Sequence, residues 1–195
     1  MAFIVTGLGN PGEEYKNTRH NTGRMAVERV QRELDFPEFR VNSKRMALVS
    51  EGKIGKEVVM LLLPESFMNK SGASVGSLAG KTKQLERLIV VHDDLDLPLG
   101  RFKISFGKHS GGHKGVESIM RAVKSIGFIR IRIGISPVTP SGKLKKPRGE
   151  EHVTKHILGR FKKSELMLLA KQSKAVAEVI QTIVKNGLEA ARSRA

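Results

Sequence analysis

Cysteine and tryptophan are both absent from the 195 residues, and one tyrosine and eight phenylalanines make up the aromatic content. Without thiols there is no disulfide, no thiolate nucleophile and no zinc–thiolate site, a composition that suits a reducing cytoplasm. With so few flat rings there are few platforms for stacking bases, which argues against sequence readout of single-stranded RNA. Long apolar runs are missing as well. Val58 to Leu63 is far short of the ~20 residues that span a bilayer, so no membrane association is expected. No basic stretch leads into an apolar segment at the N-terminus, so no signal peptide is expected either. Acidic residues are scarce beside basic ones, 19 against 35, for a net charge of +16 and a pI near 10.4. An excess of this size points to a polyanionic partner recognised through its backbone and shape; a soluble protein that is merely basic is the alternative.

What is present reads as one α/β domain over residues 1–195, long enough to bury a sizeable core. A mostly parallel, twisted, mixed sheet flanked by helices is expected. Ala2 to Thr6 is a short buried strand, and Met25, Val27, Val30 and Leu34 mark a helix ending before Pro37. Met46 to Ser50 and Lys56 to Leu63 form a hairpin turned by Gly52 and Gly55. A small-residue helix runs from Ser66 to about Gly80. Leu88 to Val91 is an apolar strand that opens into a loop, with Asp94 and Asp96 capping turns before Pro98. Arg101 to Phe106 and Phe128 to Ile135 are strands, the second alternating so that Arg130 and Arg132 form an exposed pair on one face. Val116 to Ile126 is helical. Residues 136–151, rich in Pro, Gly, Ser and Lys, form a mobile loop whose lysines could touch RNA. The last helix covers about 163–187, N-capped by Ser164 and ended by Asn186-Gly187, and a basic, frayed tail follows from Ala190.

Chemistry concentrates in Gly7 to Gly23, a polar glycine-rich stretch between the first strand and first helix that holds His20. Gly7, Gly9 and Gly12 match the spacing of a dinucleotide fingerprint, but no helix opens at the glycines and no acid ends a strand ~20 residues on. Gly72-Ala73-Ser74-Val75-Gly76 matches a nucleophile elbow, yet Ser74 does not directly follow a strand. His92, Asp93, Asp94 and Asp96 could hold a hard metal ion, although an oxygen cage usually brings more ligands; alternatively Asp93 orients a histidine. A second glycine-rich loop, Gly107 to Lys114, precedes a helix N-terminus suited to an anion or a substrate carbonyl.

Gly7-Leu8-Gly9-Asn10-Pro11-Gly12, Tyr15, and Thr18-Arg19-His20-Asn21 together resemble the opening of the bacterial-type peptidyl-tRNA hydrolases. Phe67-Met68-Asn69, His92 to Pro98, Gly111-Gly112-His113, Arg130 to Ile135 and Leu158 to Phe161 extend the resemblance nearly end to end. It implies a cytoplasmic, monomeric enzyme that uses no cofactor and no metal and cleaves the ester joining peptide to tRNA. His20 is then the general base on water and Asp93 its orienter. Asn10 reads the peptide beside the ester. Asn69 binds substrate, with Tyr15, Phe67 and Met68 shaping the cleft and His113 and Lys114 beside it. Arg132 holds the tRNA 5′ phosphate with a lysine partner, either Lys103 or Lys108. The family usually carries asparagine where this chain has Lys114. Some plant organelle relatives bind RNA as splicing factors without catalysis, which leaves a non-catalytic RNA binder as the rival reading.

Overall fold

Every residue of Phe3–Gly7 (β1) is buried, which requires a strand covered on both faces. The computed structural model describes residues 2–76 and 82–193. In it β1 lies inside a seven-stranded sheet. After β1 come α1 (Thr22–Glu33), β2 (Arg40–Asn42), β3 (Ala47–Ile54), β4 (Glu57–Pro64) and α2 (Gly72–Gly76). They are followed by β5 (Leu88–Pro98), β6 (Phe102–Phe106), α3 (Lys114–Val123), β7 (Ile129–Ser136), α4 (Glu150–Leu158), α5 (Lys163–Asn186) and α6 (Leu188–Arg192). The strand order is β2-β3-β4-β1-β5-β7-β6. Four central strands run parallel, and antiparallel strands close both edges.

Alternation along the strands sorts the core into two layers. Val5, Val91, Ile131 and Ile133 pack with α1 and α5 on one face of the sheet. Ile4, Leu62 and Val90 pack with Val75 of α2 and Val116 and Ile119 of α3 on the other. From β1 the chain goes by way of α1 to the β4 side, and it returns by way of α2 to β5 on β1's opposite flank. The connections therefore diverge between β1 and β5, and such a divergence opens a crevice at the strands' carboxyl ends.

Several expectations are corrected. His92 to Pro98 is not a loop: β5 continues through it, pairing with β7 from Ile89 to Asp94 and again at Pro98. Arg130 does share a face with Arg132, but it is only 3% exposed, so the solvated pair does not exist. Alternation assigns a face and not its covering. Gly52 lies inside β3 against the Phe36 ring rather than in the turn. The helix expected from Ser66 is a single turn, Met68–Lys70, followed by α2; its continuation to Gly80 falls outside the described residues. The cap of α5 is Lys162, whose backbone N–H donates to Glu165, and Ser164 sits within the helix. The tail from Ala190 enters α6, where Ala191 is buried, and its last two residues are outside the described ones. β2 and α4 were not foreseen. Among the described residues, no helix is long and apolar enough to cross a membrane.

Candidate active site

The segment after β1 is stitched to β5 and α1 by backbone hydrogen bonds, Leu8 N–H to the Val91 carbonyl (3.0 Å) and Arg24 N–H to the Leu8 carbonyl (2.8 Å). Gly23 permits this, because a methyl there would run into the Val91 carbonyl oxygen. Thr18 Oγ1 donates to the Tyr15 carbonyl and Thr22 Oγ1 to that of Arg19, both at 2.7 Å. These bonds fix the single turn Arg19–Asn21, which hands His20 to the crevice beside Asp93 on β5.

His20 Nδ1 lies 3.1 and 3.0 Å from the two Asp93 carboxylate oxygens. His113 Nε2 is 2.9 Å from Asp93 Oδ1. His113 Nδ1 accepts from the N–H groups of Gly115 and Val116, at 3.1 and 3.3 Å, so it caps α3. A nitrogen that accepts two backbone hydrogens carries none itself, which puts the His113 proton on Nε2, facing Asp93. His92 donates from Nδ1 to the Asp93 carbonyl at 2.7 Å, and its Nε2 lies 3.4 Å from Arg130 Nη1. The rings meet in series, His20–His113 tilted and His113–His92 edge to face, with centroids 4.9 and 4.8 Å apart.

Burial alone would push the Asp93 carboxyl up. The attraction and hydrogen bonds of His20 and His113 outweigh it and hold Asp93 well below the usual carboxylate range. For His20, burial pulls the pKa down, but the charge and hydrogen bond of Asp93 prevail; Lys114 opposes them, and the net shift is upward. His92 is driven well down, first by burial and then by the charges of His113 and Arg130, so it stays neutral. One carboxylate thus receives two imidazole N–H groups, leaving His20 Nε2 as an acceptor toward the cleft.

His20, Asp93 and His113 could bring three ligand atoms within 4.8 Å of one another. An ion there would have to displace the protons that His20 and His113 direct at Asp93. Asp94 and Asp96 face cations, Asp94 accepting from Arg132 Nε at 2.6 Å and Asp96 from Lys146.

The cleft has a volume of about 360 Å³. His20, Asp93, Gly112, His113 and Lys114 line one side, and Val153, Thr154, Ile157 and Leu158 of α4 line the other. Positive φ at Gly111 and Gly112 turns the chain into α3 and brings His113 to Asp93. Asn10 is buried; its Oδ1 accepts from Met68 N–H at 2.8 Å. Tyr15 and Phe67 meet edge to face at 6.4 Å, while Asn69, next in the turn, is exposed. Lys103 is in register with Arg132 across β6 and β7, whereas Lys108 lies beyond the end of β6.

Sequence reasoning gave no role to Asn21, whose amide brackets Asn10 through bonds to its N–H and carbonyl at 2.8 and 2.9 Å. It also passed over the α4 wall and the His92–Arg130 contact. Asn21 stood in the quoted run beside His20. A strand pairing has no such local mark.

The family model described as Peptidyl-tRNA hydrolase matches residues 4–195. A peptidyl-tRNA hydrolase of Caldanaerobacter subterraneus subsp. tengcongensis is 39% identical over 193 residues, 98% of each chain. One from Thermoanaerobacter sp. strain X514 is 37% identical with the same coverage. The crystal structure of the Acinetobacter baumannii peptidyl-tRNA hydrolase superposes with a TM-score of 0.86 at 29% identity, covering 99% of this chain and 93% of that one.

Proposed function

The chain belongs to the peptidyl-tRNA hydrolase family and hydrolyses peptidyl-tRNA, and from that premise we propose that His20 and Asp93 activate the attacking water. The observation that carries this reading is the double contact of His20 Nδ1 with Asp93, which leaves Nε2 free in the cleft. Nε2 takes a proton from water as its oxygen attacks the ester carbonyl. Asp93 stabilises the imidazolium formed, which then protonates the departing ribose oxygen. An ester is activated enough that neither a covalent intermediate nor a metal is needed. His113, both of whose nitrogens are engaged, acts by holding Asp93 rather than by touching substrate.

Asn10 binds the peptide next to the ester. Its Oδ1 is occupied by Met68, so its Nδ2 is the group offered, and Asn21 keeps the backbone behind it from shifting. Asn69 adds an exposed amide, and Tyr15, Phe67 and Met68 form the adjoining wall. The 5′ phosphate of tRNA meets Lys103 and Arg132, with Lys108 at the margin. The enzyme acts as a cytoplasmic monomer on this reading.

Turnover of an N-blocked aminoacyl-tRNA is the test. His20→Ala should lower kcat by roughly 10²–10⁴-fold and leave tRNA binding intact. Asp93→Asn should cost more than Asp94→Asn, since Asp94 faces Arg132, and chelators should change nothing. A His20→Ala enzyme within about threefold of wild type would remove the assignment. Loss on chelation restored by a divalent ion would replace it with metal catalysis.

A further inference from the structure

The side of α4 away from the cleft carries a second concavity. Arg19, Pro147, Arg148, His152, Lys155 and His156 surround a shallow cavity of about 470 Å³, and no carboxylate lines it. The two faces of α4 divide by helical spacing. Glu150, Val153, Thr154 and Ile157 point to the catalytic cleft, and His152, Lys155 and His156 to this cavity.

Arg132 is offset by Asp94 and Lys146 by Asp96. Arg148, His152 and Lys155 are exposed and, among the described residues, have no ion-pair or hydrogen-bond partner. The cavity floor is fixed. Arg19 donates from Nη1 to the carbonyls of Gly159 and Arg160 and from Nη2 to both Glu165 oxygens at 3.0 and 2.9 Å. It also stacks over the Phe161 ring at 5.1 Å. His156 donates from Nε2 to the Ile135 carbonyl at 3.1 Å, so it forms wall rather than free charge. Two uncompensated cations and an exposed imidazole thus stand over a rigid base. That is a site for an oxyanion that itself carries solvent-facing oxygens.

Placement identifies the oxyanion. The turn Arg19–Asn21 puts His20 into the cleft and Arg19 under this cavity. In sheet order, Arg19 follows β1, Asp93 lies on β5, Arg132 on β7 and Lys103 on β6. The cleft therefore has cations on two borders, Arg148 and Lys155 across α4 and Arg132 and Lys103 on β7 and β6. An acceptor end has two kinds of phosphate, the 5′ phosphate of one strand and the diesters of the single-stranded 3′ end that carries the ester. With the 5′ phosphate at Lys103 and Arg132, the diesters of the single-stranded 3′ nucleotides, which run from there to the ester, are the phosphates left for the α4 rim.

We infer that the cavity behind α4 is a subsite for a phosphodiester of the single-stranded 3′ end of tRNA. This rests on the proposed reading of the cleft. A diester held there also draws α4 against the substrate, since the same helix walls the cleft.

The experiment measures binding, so that it is independent of turnover. In a His20→Ala background, the dissociation constant is followed over a salt series for intact tRNA and for tRNA lacking its single-stranded 3′ nucleotides. Arg148→Ala/Lys155→Ala should bind intact tRNA about tenfold more weakly. Its log–log salt slope should fall by about 0.7 per lost single-strand phosphate contact. With the shortened tRNA, variant and parent should bind alike. Lys53→Ala/Lys56→Ala, which removes equal charge from the β3–β4 hairpin, serves as control. An equal loss with shortened tRNA would move the contact to the stem, and an equal loss in the control would reduce it to net charge; either overturns the subsite, as does no loss at all. Turnover of blocked aminoacyl-tRNA by the unmodified enzyme judges the cleft separately.

Discussion

Asp93 is the residue on which the site converges, because one buried carboxylate accepts from two imidazoles. It keeps its charge against burial, and that charge raises the pKa of His20 above the ordinary histidine value even though burial acts the other way. On the proposed mechanism His20 must be unprotonated to act as base, so a raised pKa should move the acid limb of kcat/KM to higher pH. Lys114 works in the opposite direction. Its ammonium is exposed yet lines the cleft. Lys114→Asn therefore removes a downward influence, and the acid limb of the variant should lie at higher pH than in wild type. An unmoved limb would mean that the ammonium swings out of reach of His20 and acts only on RNA.

Among the elements, those whose sequence carries a local signal were readable. β1, β4 and the apolar start of β5 are runs of buried residues, and the His20 stretch announces itself by glycines between a strand and a helix. The rest of β5 was hidden, because aspartates are poor strand formers and only pairing with β7 holds them extended. In α4, Val153, Ile157 and Leu158 are the only strongly apolar residues, and the periodicity is lost behind a Pro-, Gly- and Lys-rich loop. The β6–β7 register sets Lys103 opposite Arg132, whereas Lys108 lies past the end of β6. Gly23 shows how an element positions the site. A methyl there would strike the Val91 carbonyl that Leu8 N–H already occupies, pushing α1 and the His20 turn away from β5. Gly23→Ala should cost about 1–3 kcal/mol, lowering Tm by roughly 2–4 °C for each kcal/mol in a chain of this size. Activity should fall further than stability alone explains. A variant that melts with wild type would mean that α1 can move outward freely.

Across the whole molecule, a net charge of +16 should make tRNA binding depend on salt, and on the proposed reading the cations contribute unequally. Each phosphate neutralised on a duplex steepens the log–log dependence of binding on salt by about 0.9. Arg132 is the motif residue, but Asp94 sits 2.6 Å from its Nε and already offsets its charge. Lys103, opposite it across the strands, is exposed and supplies the net positive charge of this trio. Lys103→Ala should therefore lower the salt slope by about one unit while the site keeps its structure. Arg132→Ala removes a guanidinium and also leaves the mostly buried Asp94 carboxylate without its partner, facing the phosphate on the proposed reading. Its binding should fall more than that of Lys103→Ala at low salt, since unscreened repulsion is added to a lost contact. Arg132→Ala/Asp94→Asn should recover part of that difference. Isothermal or fluorescence titration of each variant over a salt series reads all three. Equal losses for the two single variants, with no recovery in the double one, would mean that Asp94 does not face the bound phosphate and that Arg132 and Lys103 act as independent charges.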